Sequence, residues 1–70
     1  MKRIIKLMGC RFEVKSFADG SYRVAGPLRT VDLTDFNGAC GEIGWQIQGG
    51  EDGGLRMYGF CRQAMMAAGY

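Results

Sequence analysis

The sequence predicts an α+β fold: an antiparallel β-sheet of about four or five strands with one C-terminal α-helix packed on one face. Three observations carry that prediction. Apolar residues alternate with polar ones through the first third of the chain, the period of a half-buried strand. Gly-Pro, Asn-Gly and a glycine-rich run punctuate the middle of the chain at short intervals. From Leu55 onward the apolar positions switch to helical spacing. Seventy residues make a single domain over 1–70, and 47% apolar content is too high for intrinsic disorder.

The N-terminus has the outline of a lipoprotein signal, with Met1-Lys2-Arg3 and Ile4-Ile5 leading to Leu7-Met8-Gly9-Cys10. The apolar core of such a signal runs about 7 to 15 residues, and Lys6 interrupts this one after two. The segment is therefore read as a strand, and the protein as cytoplasmic. No apolar run approaches the ~20 residues that span a bilayer, so no membrane partner is expected.

Phe12, Val14, Tyr22 and Val24 alternate with polar residues on either side of Ala18-Asp19-Gly20, which reads as a hairpin. A two-residue Asp19-Gly20 loop would pair Phe17 with Tyr22 and put Phe12 and Val14 on the opposite face. A three-residue loop pairs Ser16 with Tyr22 and Val14 with Val24, which collects the apolar side chains on one face. Gly20 also suits the left-handed position of that longer turn, so the three-residue register is expected. It leaves Arg11, Glu13, Lys15 and Arg23 on the solvent face.

Gly26-Pro27 interrupts the pairing, because proline has no amide hydrogen to give a ladder. Leu28 to Leu33 then reads as another strand. Residues 34–48 admit two readings. Asn37-Gly38 signals a tight turn, with Ile43, Trp45 and Ile47 alternating after it. Phe36, Cys40, Ile43 and Ile47 equally match a helical stripe, with Asp32 or Thr34 as N-cap. Gly38, Gly41 and Gly44 would each cost such a helix about 0.8–1 kcal/mol, so strands are expected here. Gly49 to Gly54 holds four glycines with Glu51 and Asp52 between them and reads as a flexible acidic loop. It lacks the Gly-Lys-Ser/Thr ending of a phosphate-binding loop. In the last helix Met57, Tyr58, Cys61, Ala64, Met65 and Ala68 fall within an arc of about 120°, the core-facing stripe. Met66 and Tyr70 share the other side with Arg56, Arg62 and Gln63, and mark a surface for self-association as a homodimer.

Composition removes most enzyme chemistry. There is no histidine, hence no imidazole base, no Ser-His or Cys-His nucleophile and no imidazole metal ligand. Cys10, Cys40 and Cys61 show no C-x-x-C spacing and cannot supply the four ligands of structural zinc; they read as reduced, mostly buried thiols. The chain is thus expected to be no enzyme, with no catalytic residue, cofactor or metal.

Charge is the property that varies most along the chain. Residues 1–29 hold seven bases (Lys2, Arg3, Lys6, Arg11, Lys15, Arg23, Arg29) against Glu13 and Asp19, a net of +5. Residues 30–55 hold five acids (Asp32, Asp35, Glu42, Glu51, Asp52) and no base, a net of −5. Arg56 and Arg62 then bring the total to +2. This separation predicts two docking surfaces: an acidic patch of Asp32, Asp35, Glu42, Glu51 and Asp52, and a basic face of Lys6, Arg11, Lys15, Arg23 and Arg29. The acidic patch suits a basic groove of a host protein or nucleoprotein complex. The basic face suits nucleic acid directly, with Phe17 or Trp45 as a stacking group, though a pI of 8.6 is low for a nucleic-acid domain.

In size and character the chain resembles the very small α+β proteins that phages and other mobile elements encode against host defences, the anti-CRISPR proteins in particular. The resemblance rests on length, missing catalytic groups, a sheet with a helix, and segregated charge; no motif is shared and no residue carries over. It implies non-enzymatic binding to a CRISPR effector that blocks target-DNA recognition. Many such inhibitors mimic DNA with a large negative charge, and a net of +2 restricts this chain to a local acidic patch.

Overall fold

Four strands open the chain and two helices close it. In the computed structural model, which describes residues 1–51 and 55–70, β1 (Lys2–Leu7), β2 (Cys10–Ser16), β3 (Tyr22–Ala25) and β4 (Thr30–Leu33) form an antiparallel meander in that spatial order. They are followed by α1 (Phe36–Ile47) and α2 (Leu55–Ala67). The α+β class stands as expected. The sheet has four strands, and two helices take the place of one.

The expected β2–β3 register is found, with Val14 opposite Val24 and Ser16 opposite Tyr22. Gly20, at φ 89°, closes the turn by donating its amide to the Phe17 carbonyl at 3.1 Å. β1 meets β2 through a two-residue Met8-Gly9 loop, in which both residues have positive φ, as the right-handed twist of the strands requires. This pairing aligns Ile5, Phe12, Val14 and Val24 on one face, where all four are buried. Lys2, Ile4, Lys6, Arg11, Glu13, Lys15, Arg23 and Asp32 alternate onto the other.

Both helices pack on the first face. Ala39, Cys40 and Ile43 of α1, with Cys61 and Met65 of α2, complete the buried core. The second face carries no helix among the described residues.

The expected strands in 34–48 are corrected to helix α1. Asn37-Gly38 lies in its first turn, and Asp35 is the N-cap, in place of Asp32 or Thr34: its Oδ1 accepts the Gly38 amide at 2.7 Å. Three glycines cost this helix about 3 kcal/mol in propensity. A cap contributes about 1 kcal/mol, and full burial of Ile43 alone contributes about 1.5–3 kcal/mol, so tertiary burial outweighs the local preference. Gly38 also sits where a Cβ would be tight, 3.1 Å from Asp35 Oδ1 and 3.4 Å from Leu33 Cβ. Leu28 and Arg29 belong to the β3–β4 loop, since β4 begins at Thr30.

Gly49 and Gly50 end α1, their amides returning to the Gln46 and Trp45 carbonyls. The expected loop begins there, and its residues 52–54 lie outside the described residues. In α2 the expected stripe faces the core, with Cys61 and Met65 fully buried. Tyr70 is the exception. Gly69, at φ 100°, lets the chain turn back, with amides of Gly69 and Tyr70 bonded to the Met66 and Met65 carbonyls. Tyr70 thereby swings onto the sheet, where its hydroxyl donates to the Val14 carbonyl and its ring meets Tyr22 edge-on at 5.8 Å. It is thus packed against the core, and only Met66 of the expected self-association pair lies exposed on α2.

Candidate functional site

The sheet's open face gathers residues that the chain spaces apart. Register sets Lys6 opposite Arg11, and Lys15 between Lys2 and Arg23. Directly opposed side chains lie about 5 Å apart and repel when alike in charge, so such a ladder of cations stabilises nothing by itself. Two carboxylates partly relieve it. Glu13 takes Lys2 at 3.0 Å, and Asp32 takes Arg23 through Nε at 2.6 Å and Nη2 at 3.3 Å. The Arg23 guanidinium, by that hydrogen bond first and its charge second, holds the Asp32 carboxyl below its usual range. Five cations against two acids leave a net of +3 on this face. Among the described residues no carboxylate lies within 4.0 Å of Lys6, Arg11 or Lys15.

Phe17, the first residue past β2, ends the ladder. Its ring centroid lies 5.6 Å from Lys15 Nζ and 5.7 Å from Arg23 Cζ, and the side chain is 37% exposed. Beside it is a shallow cavity of about 300 Å³ lined by Phe17, Asp19, Ser21, Tyr22, Arg23 and Asp32. Asp19 Oδ1 accepts both the Ser21 hydroxyl, at 2.6 Å, and the Ser21 amide, at 2.9 Å. Those bonds hold the Asp19 carboxyl below its ordinary value.

Of the five residues expected on the basic face, Lys6, Arg11, Lys15 and Arg23 are there, and Arg29 is not. Its guanidinium lies 3.9 Å over the Trp45 ring and grips Glu42 through Nε at 3.0 Å and Nη2 at 2.7 Å. Gln46, one helical turn past Glu42, completes the arrangement. It accepts the Leu28 amide at 3.1 Å and donates to both the Arg29 carbonyl at 3.0 Å and Glu42 at 2.9 Å. The β3–β4 loop is thus strapped to α1. Gly26 permits the approach, since a Cβ there would collide with Gln46 Oε1 and come within 2.7 Å of the Phe12 ring. Burial pushes the Glu42 carboxyl up, and hydrogen bonds from Arg29 and Gln46 more than reverse this, leaving it below its ordinary value. The sequence pattern did not single out Gln46; its signal, a Glu and a Gln four apart, has meaning only on a helix.

The expected acidic patch is dispersed over several elements. Asp32 is paired with Arg23 on the sheet, Asp35 caps α1, and Glu42 is buried under Arg29. Glu51 is exposed after α1, and Asp52 lies outside the described residues. The cysteines are free, and burial pushes up the thiols of Cys40 and Cys61, the latter to about 11, so both are neutral at pH 7 and poor nucleophiles. Among the described residues no group of three metal-binding side chains converges, and no helix is long and apolar enough to cross a membrane. Trp45, the second expected stacking group, is occupied by Arg29.

No protein-family model matches this chain, and neither a curated protein nor a solved structure matches it.

Proposed function

We propose that this chain is a non-catalytic binding protein that docks the phosphate backbone of a nucleic acid on the open face of its sheet. One observation carries the reading: Lys6 stands opposite Arg11, and Lys15 lies four residues further along β2 on the same uncovered face, past Glu13, and none of the three has a carboxylate partner among the described residues. Lys2 and Arg23 flank them, each balanced by one acid. Like charges so placed are tolerated where a polyanion relieves them, and phosphate contacts by Lys and Arg supply the sequence-independent affinity of nucleic-acid binders.

Fluorescence anisotropy with a labelled duplex, over about 25 to 200 mM salt, tests it. Three phosphate contacts give log K against log salt a slope of roughly −2.7. The triple variant Lys6→Glu, Arg11→Glu, Lys15→Glu is expected to lose binding at every salt concentration. Absence of wild-type binding at the lowest salt, or indifference to the triple reversal, overturns the proposal.

Blocking of a CRISPR effector through an acidic patch has less support. Asp32 and Glu42 are each neutralised by an arginine, and Asp35 is engaged in a cap. That reading regains ground if a nuclease-resistant nucleoprotein complex is captured and lost on Asp35→Asn or Glu51→Gln.

A further inference from the structure

We propose that the cavity beside Phe17 receives a single unstacked nucleobase, so that the basic face prefers single-stranded nucleic acid to duplex. The inference rests on the reading of that face as a phosphate-docking surface. Its own support is the contrast between the two ends of the ladder. At Lys6 and Arg11 two cations face each other with no carboxylate within 4.0 Å among the described residues, which suits a phosphate. At the other end the about 300 Å³ cavity joins an aromatic ring to two carboxylates, a hydroxyl and a guanidinium.

That mixture disfavours phosphate, because Asp19 and Asp32 line it, and it suits a nucleobase. A base offers a flat π-face for Phe17, N–H donors for a carboxylate and carbonyl acceptors for an N–H. Both Ser21 bonds to Asp19 end on Oδ1, so Ser21 leaves Oδ2 free to accept from a base. Arg23 spends Nε and Nη2 on Asp32, and a guanidinium has further N–H groups to give. Lys15 and Arg23 lie 5.6 and 5.7 Å from the Phe17 ring centroid, near the outer reach of cation–π contact and well outside the 3.9 Å at which Arg29 covers Trp45. The ring thus ends the row of cations and stays exposed to a base. A duplex keeps its bases stacked and paired and cannot fill this cavity; a single strand can place its backbone on Lys6, Arg11 and Lys15 and turn one base in.

Three labelled probes of equal length decide it by anisotropy at one salt concentration: oligothymidylate, the same phosphodiester strand without bases, and a duplex. Base stacking on one aromatic side chain is expected to make oligothymidylate bind about 5- to 150-fold tighter than the abasic strand. Phe17→Ala should abolish that advantage and leave the abasic strand and the duplex unchanged, while Phe17→Tyr should keep it. Equal binding of oligothymidylate and abasic strand by the wild type overturns the base site and leaves the phosphate reading standing. A Phe17→Ala loss of equal size on all three probes likewise overturns it. Failure of all three probes to bind overturns both.

Discussion

Arg23 and Arg29 make the same bond in two settings. Each grips a carboxylate with two nitrogens, and each reaches from the basic block of 1–29 into the acidic block of 30–55, to Asp32 and Glu42 respectively. Arg23 and Asp32 meet across neighbouring strands in water, with side chains 49% and 68% exposed. The Glu42 side chain is 5% exposed and sits between α1 and the β3–β4 loop. Water and salt screen the first pair, and either partner can be solvated if the other leaves. The second pair has no such alternative, because a buried carboxylate without its donors is an uncompensated charge. One pair is open to water; the other is enclosed between α1 and the β3–β4 loop.

The largest loss that would test this difference is expected from Arg29→Met, and its pH dependence is the sharper readout. In the wild type Glu42 titrates below its unfolded value of 4.5, so the native state binds fewer protons than the unfolded chain through that window. Glu42 therefore adds stability above pH 4.5 that is lost as pH falls through its folded value. Without Arg29, burial acts with less opposition and the folded pKa moves above the unfolded one. The sign then reverses, and this carboxyl makes the variant less stable as pH rises through the same region. Urea unfolding at several pH values checks it; a wild-type-like slope in Arg29→Met would show that Glu42 is not held by its arginine.

Gln46→Leu comes next. It strips partners from the Leu28 amide, the Arg29 carbonyl and Glu42 at once, and buried polar groups left unsatisfied cost about 1–3 kcal/mol each. A total near 3 kcal/mol is expected, which in a domain of this size lowers Tm by roughly 12 °C or more. Gly26→Ala should cost about 1–3 kcal/mol by overpacking, because its Cβ has nowhere to go between Gln46 and Phe12. Arg23→Met, in contrast, is expected to leave the unfolding midpoint close to that of the wild type.

The same pairs explain which features were legible in the sequence. Alternation along β2 and β3 specified their register, because only one register buries Phe12, Val14 and Val24 together. The 3.6-residue stripe of α2 was equally readable, since burial and local preference agree there. At α1 they disagree: three glycines and Asn37-Gly38 favour a break, and only the sheet beneath supplies the burial that overrules them. Charge misled for a related reason. The acidic and basic blocks look like two surfaces when read along the chain, yet antiparallel pairing sets Arg23 against Asp32 nine residues away, and the strap sets Arg29 against Glu42 thirteen away. Two of the five acids in the middle block are thereby matched within the molecule. Lys6, Arg11 and Lys15 are not, because their cross-strand neighbours lie in the basic block itself.

The smallest expected change in stability is also the most informative about ligand binding. Asp32→Asn removes a carboxylate from the open face, frees the Arg23 guanidinium and raises the net charge of that face from +3 to +4. Folding should be nearly unaffected, because both partners are already solvated. Duplex affinity should rise, and the slope of log K against log salt should steepen by about 0.9, the mark of one further phosphate contact. If Asp32→Asn destabilises the protein as Gly26→Ala does, then the exposed pair is structural after all and the contrast with Arg29 fails. If stability holds and the slope is unchanged, Arg23 lies outside the phosphate footprint, and the docking surface contracts to Lys6, Arg11 and Lys15.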